Sequence, residues 1–191
     1  MKNLLFIMGI AFNFMMFNIS SDEVKSYKTE DSTAEEQDLS DIFKNDSYAF
    51  ALSLQYVDYE DKVVFKNEQI AKQRLKNVQK YLDDLTDHGT SFHAVENLEI
   101  NDKWQKLVED VAYLKYYGFD ESEILNDLNI AGALILQAEN YYDKPSLSYL
   151  YQIFTDLNSA INGEKVEYNV TRTFSPESQF KRVSLYLASK K

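Results

Sequence analysis

The stretch Gly118–Pro145, GFDESEILNDLNIAGALILQAENYYDKP, constrains this chain more than any other. Asp120 and Glu123 have the spacing of a capping box, and Phe119 and Ile124 that of a hydrophobic staple. Ile124, Leu128, Ala131, Ile135, Ala138 and Tyr142 then recur at steps of four and three, one face of a helix. Leu125, Ile130, Leu134 and Leu136 spread apolar groups around the rest of the circumference. A helix that is apolar on most sides is one surrounded by others, and Pro145 blocks its simple continuation. The segment predicts the central helix of an all-α domain.

The neighbouring patterns agree. Leu39, Ile42, Phe43, Phe50, Leu54 and Val57, widened by Ala49 and Leu52, predict a helix from about Ser40 to Tyr56 with Asp46 pointing outward. Ala71, Leu75, Val78, Leu82 and Leu85 form a narrow seam from Asn67 to Asp87, with Gly89 as its left-handed stop. Lys66, Lys72, Arg74, Lys76 and Lys80 make its other faces the one basic surface of the chain. A helix with Trp104, Leu107, Val108, Val111 and Leu114 inward follows, capped by Asn101 and closed by Gly118. After Pro145, Leu147, Leu150, Phe154, Leu157 and Ile161 predict another, ending at Gly163. Ser175 as cap and Pro176 at the first position announce the last, with Phe180, Val183, Leu187 and Leu185 inward. Thr90–Ile100 is compatible with a loop or a helical turn. The short connections at Gly118–Phe119 and Asp143–Ser146 imply antiparallel hairpins. The expected fold is an all-α helical bundle of about six helices with at most a short β-ribbon.

That ribbon is the open question. Val166, Tyr168 and Val170 alternate with Glu167 and Asn169, a strand pattern inside Glu164–Phe174. A lone strand cannot satisfy its own backbone, so it needs a mate, for which Asp61–Lys66 is the local candidate, or it runs as an extended arm across the bundle. The strings YLDDLT, ILNDLN and IFTDLN begin at Tyr81, Ile124 and Ile153, at intervals of 43 and 29 residues. An unequal interval marks shared patterning between helix hairpins and not a fixed repeat.

The first 20 residues read as a targeting segment: Lys2, an apolar run from Leu4 to Phe17 broken only by Asn13, and Ser20 before the expected cleavage. The run is shorter than the ~20 residues that span a bilayer. Residues 21–40 are acidic with little to bury and read as a disordered linker, leaving 41–191 as the helical domain. The composition, 45% apolar and 14% aromatic, supports a folded core, and the scarcity of Gly (5) and Pro (2) suits helices with short connections. The chain contains no cysteine, so no disulfide or lipid-modified cysteine is available. A secreted or cell-envelope location in a bacterium follows as the expectation.

Function is bounded mainly by exclusion. Loss of Lys2 leaves 19 basic against 31 acidic side chains, a net of −12 that disfavours nucleic acids and anionic membranes and permits a cationic peptide or basic protein. No glycine-rich phosphate loop and no GxSxG string is present. Ser178–Lys181 spells SxxK but lacks its companion strings. The histidines, His88 and His93, lie five apart across Gly89 beside Asp84, Asp87 and Glu96, a spacing that points them away from each other, so no metal site, cofactor or catalytic residue is assigned. The fourteen tyrosines are the informative oddity. Tyr116, Tyr117, Tyr141, Tyr142 and Tyr149 cluster at predicted helix ends, beside Asp120, Glu139 and Asp143. They are the expected surface for a protein or peptide partner, with Tyr116, Tyr117 and Tyr149 on one shared edge. The expected protein is thus an exported binder and not an enzyme. The alternatives are a membrane-tethered immunity or structural protein with an uncleaved N-terminus, or a hydrolase of unfamiliar type.

Overall fold

The computed structural model describes residues 32–190 apart from 94 and 164, and only the backbone of 32–38. The expected targeting segment and most of the expected linker lie outside the described residues. Within them the protein is all-α, with six helices and no strand: α1 (Ser32–Ser53), α2 (Glu68–Thr86), α3 (Asp102–Tyr113), α4 (Ile124–Tyr141), α5 (Lys144–Ile161) and α6 (Glu177–Ala188). α1 starts inside the stretch read as linker, where Ala34, Glu35, Glu36 and Gln37 are good helix formers and acidic residues favour a helix N-terminus.

α4 is the most deeply buried rod, flanked by α1, α3 and α5, while α2 packs on α3 and α5. Ile124, Leu128, Ala131, Ile135 and Ala138 are all buried, as are the seam of α2 and the predicted inward face of α3. Tyr142 departs from the pattern. It is 53% exposed and takes the left-handed position that ends α4 (φ 52°). On α1 the buried stripe is Phe43, Ser47 and Phe50, with Ile42 and Leu52 exposed instead of inward, and Val57, also exposed, lies beyond the helix end at Ser53. The reason is at Gly132: a Cβ there would run into the Oγ of Ser47 and lie 2.8 Å from its Cβ and 2.9 Å from the tip of Phe43. Two backbones this close select the small Ser47 as the contact and turn the larger apolar residues away. Leu185 on α6 is likewise exposed.

The helix ends differ from expectation in instructive ways. Asp120 and Glu123 form no capping box. The extended segment before α2 supplies carbonyls instead: the N–H groups of Asp120, Glu123 and Ile124 donate to Val64, Asp61 and Lys62 at 2.8, 2.9 and 3.2 Å. Phe65 faces Phe119 across this pairing, so residues 61–65 are the mate of the entry to α4 and not of Glu164–Phe174. Asp87, not Gly89, caps α2. Asp87, His88 and Gly89 are all left-handed, and a Cβ on Gly89 would sit 2.7 Å from Cζ of Tyr151. α3 runs on into a wider π-helical turn, Leu114–Gly118, closed by Phe119 N–H on Leu114 O at 3.1 Å. Pro176 occupies the cap position of α6, while Ser175 pairs with Thr171.

The alternating segment pairs with no strand among the described residues and runs as an irregular arm, bent at Glu167 and Tyr168, left-handed at Asn169 (φ 56°) and turned over Arg172–Phe174. Its N–H groups go to two buried aspartates. Asp156 of α5 accepts from Glu167 (3.0 Å), Tyr168 (2.8 Å) and Val170 (2.9 Å). Asp127 of α4 accepts from the N–H of Arg172 (2.6 Å) and Thr173 (3.0 Å) and from the Thr173 hydroxyl (2.5 Å). Asn126 beside it binds the backbone of Val57 through both ends of its amide, at 3.1 and 2.7 Å. These two aspartates occupy the same place in ILNDLN and IFTDLN. The third, Asp84 of YLDDLT, is exposed and meets Lys103 at 2.8 Å.

Two outcomes follow. Gly132→Ala, which in an open helix adds up to ~1 kcal/mol of stability, is expected to remove about 1–3 kcal/mol because the contact with α1 is already full; urea unfolding reads the sign. Asp156→Ala leaves buried amides without acceptors and is expected to cost about 2–5 kcal/mol. Hydrogen exchange should quicken at residues 167, 168 and 170, and Arg172 and Thr173, held by Asp127, should keep their protection.

Candidate functional site

The tyrosines singled out by sequence divide into two groups with no ring contact or hydrogen bond between them among the described residues. Tyr116 and Tyr117 follow α3. The Tyr116 hydroxyl donates to Asp46 of α1 at 2.5 Å, and Lys115 reaches the same carboxylate at 3.2 Å. Burial, then the bond to Asp46, raises the Tyr116 pKa well above the phenol range. Burial lowers that of Lys115, whose ammonium stands over the rings of Phe43 and Tyr116. Tyr116 is therefore committed to fixing the π-helical turn against α1. Tyr117 is 55% exposed and stacks on Tyr113, itself beneath the Arg74 guanidinium.

The second group lies where α4 hands over to α5. Tyr141 and Tyr142 are 71% and 53% exposed. Asp143 between the helices caps α5 by accepting from Ser146 N–H at 2.9 Å, and also takes the Tyr186 hydroxyl and, at 2.8 Å, the Lys190 ammonium. Burial opposes ionisation of Asp143, but those donors outweigh it and hold its pKa down at about 2. Glu139, one turn earlier, is taken by Lys44 at 2.7 Å and the Trp104 indole at 3.3 Å. All three carboxylates expected to await a cationic partner thus already meet a lysine within the fold, Asp120 at 4.0 Å from Lys66. Tyr149 is half-buried against Tyr186, with ring centres 5.0 Å apart. Among the described residues no ring contact or hydrogen bond joins it to Tyr116 or Tyr117.

Tyr149 instead lines a cleft of about 520 Å³ formed by residues 90–93, the first turns of α5 and Arg182 of α6. The loop is held by Thr86, which accepts from Gly89 N–H at 2.9 Å, and by Phe92 against Tyr151. His93 lies here with Nδ1 2.8 Å from Lys144 Nζ. His88 is exposed, its ring 3.9 Å from Asp83. The two histidines face different neighbours, and among the described residues no three metal-ligating side chains converge. A second concavity of about 420 Å³ borders Arg172, whose guanidinium is tied to Glu123 and Asp58 over the ring of Tyr56. Ser178 is exposed at the start of α6.

Sequence reasoning did not single out Asp127 and Asp156, the carboxylates that the fold buries. Burial raises the pKa of both, that of Asp127 to about 6 against the pull of its three donors. A perturbed buried carboxylate is a usual mark of an active site. Here the lone pairs face the arm's own N–H and O–H groups, which leaves no open side toward a substrate. No protein-family model matches this chain, and neither a curated protein nor a solved structure gives a significant match.

Asp127 makes stability depend on pH with a defined sign. Its folded value, about 6, exceeds that of an ordinary carboxylate, so the native state keeps a proton that the unfolded chain has lost across that interval. This group's contribution is complete below about pH 4 and falls as pH rises through about 6. The Asp127 carboxyl carbon, followed by NMR, should titrate with a midpoint near 6, and a midpoint at the normal carboxylate value would refute the assignment.

Proposed function

We propose that this is an exported protein, of a bacterial cell envelope or secreted from the cell, that works by holding another protein or peptide and not by catalysis. The observation that carries the reading is the solvent-facing pair Tyr141 and Tyr142 at the end of the most buried helix. Tyrosine offers a large amphipathic contact area at small conformational cost, which is why it recurs at binding surfaces. Rigid support is a second requirement. The pair stands on α4 beside Glu139, which ties that helix end to α1 through Lys44 and to α3 through Trp104. Ile100, 73% exposed, adds an apolar residue in the short 3₁₀ turn Leu98–Ile100, which packs on α4.

The occupied state of the buried aspartates favours binding over bond-making, since neither carboxylate is free to move a substrate's proton. The acidic balance of the whole chain, −11, favours a basic partner through its long-range field. Local ion pairs contribute little to that preference, because Glu139 and Asp143 are already paired. Among the described residues no helix is long and apolar enough to cross a membrane.

Immobilised wild-type protein is expected to retain a partner from extract of the producing cell's envelope and medium. Tyr141→Ala/Tyr142→Ala should weaken that retention by tenfold or more, as for residues central to an interface, with the unfolding midpoint unchanged. Equal recovery by both proteins, or none above background, would overturn the proposal.

A further inference from the structure

The cleft beside Tyr149 is lined by two cations that meet no carboxylate among the described residues. Lys44, Lys66, Lys72, Lys103, Lys115, Lys190, Arg74 and Arg172 all meet carboxylates within 4.0 Å. Lys144 and Arg182, from different helices, line one concavity, and neither is in an ion pair among the described residues. Lys144 lies 2.8 Å from Nδ1 of the His93 ring, its one hydrogen-bond partner among the described residues. An ammonium can only donate, so Nδ1 accepts and the ring's proton sits on Nε2, a further donor. Ser91 and Ser148 line the same space with hydroxyls. The nearest carboxylates in the chain do not line it: Asp143 is held by Lys190, Ser146 and Tyr186, and Asp87 by the Thr90 hydroxyl at 3.0 Å.

We infer that this cleft binds a phosphate monoester: Lys144 and Arg182 take the phosphate, with Ser91 and Ser148, and Phe92 and Tyr149 receive the organic body. Two features decide for phosphate over carboxylate. An Arg fork, an ammonium, an imidazole N–H and two hydroxyls supply more donors than a flat carboxylate can use, and a tetrahedral dianion has oxygens for all of them. The cleft, about 520 Å³, is far larger than a phosphate ion, and Phe92, Pro145 and Tyr149 give it an apolar side for an organic body. The overall negative charge that repels a polyanion does not forbid a small ligand here, since exposed charges beyond about a Debye length (~8 Å) are screened.

The test uses the full protein and phenyl phosphate, followed by NMR or calorimetry. Saturable binding is expected, with perturbed amides in residues 90–93 and the first turns of α5. Lys144→Gln and Arg182→Gln should each weaken it by about tenfold, the loss of one charge-assisted hydrogen bond. Lys181→Gln, a neighbouring cation outside the cleft, should leave affinity within about twofold, the range of a rim charge. Inorganic phosphate should bind the same residues more weakly, and benzoate more weakly still. No saturable binding, or equal losses in all three variants, would overturn the assignment. Phosphatidylcholine vesicles with and without phosphatidic acid separate the sources: binding to the acid-containing vesicles with none to phenyl phosphate would overturn a soluble ligand in favour of a lipid headgroup. Tyr141 and Tyr142 do not line the cleft, so Tyr141→Ala/Tyr142→Ala should bind phenyl phosphate normally whatever it does to a protein partner.

Discussion

The arrangement depends on carboxylates that serve as backbone acceptors. Residues 166–174 cross the helices without a neighbouring strand, and an extended segment in that position would bury amides with nothing to receive them. Each such orphan costs on the order of 1–3 kcal/mol, so five would consume a large part of a domain's net stability. Asp156 and Asp127 take all five and the Thr173 hydroxyl as well. The cost is two desolvated carboxyl groups, visible in their raised pKa values. Bonds to a charged acceptor are roughly twice as strong as neutral ones, which is why two side chains suffice where a whole strand would otherwise be needed.

The same logic organises the start of α4. Within five residues Glu123, Asn126 and Asp127 bind Arg172, Val57 and the arm, while the N–H groups of Asp120, Glu123 and Ile124 use the carbonyls of residues 61–64. Two irregular segments far apart in sequence, residues 57–64 and 172–173, are therefore anchored on one helix end. The rest of α4 is left to packing, down to the backbone approach at Gly132. Polar specification sits at one end of the rod and apolar burial along its length.

The helices were legible because each carries its own periodicity: the burial of Leu75, Val78 and Leu82, or of Leu147, Leu150 and Phe154, follows from spacing alone. The capping of α3 by Asn101 is equally local. What escaped was long-range. The capping box at Asp120 and Glu123 was plausible until residues 61–64 competed for the same amides. Asp127 and Asp156 stood out only as members of a shared string, and their meaning depends on an arm 11 to 46 residues away. Of the tyrosines, helical spacing put Tyr142 on the apolar face of α4, where it is exposed instead, and gave no sign of the commitment of Tyr116 to Asp46. The cleft at Lys144 and Arg182 had no signal in the sequence, because its walls come from three elements.

An arm held by side chains also has a consequence for how molecules of this protein meet. A strand at a sheet margin presents a regular row of amides and carbonyls onto which another chain can add. Here the amides of residues 167 to 173 turn inward to two carboxylates that belong to separate helices, so no such row faces outward. The most strand-like stretch of the chain is thereby a poor template for intermolecular pairing, and a protein rich in aromatic residues gains protection against self-association without a charged or proline-blocked margin.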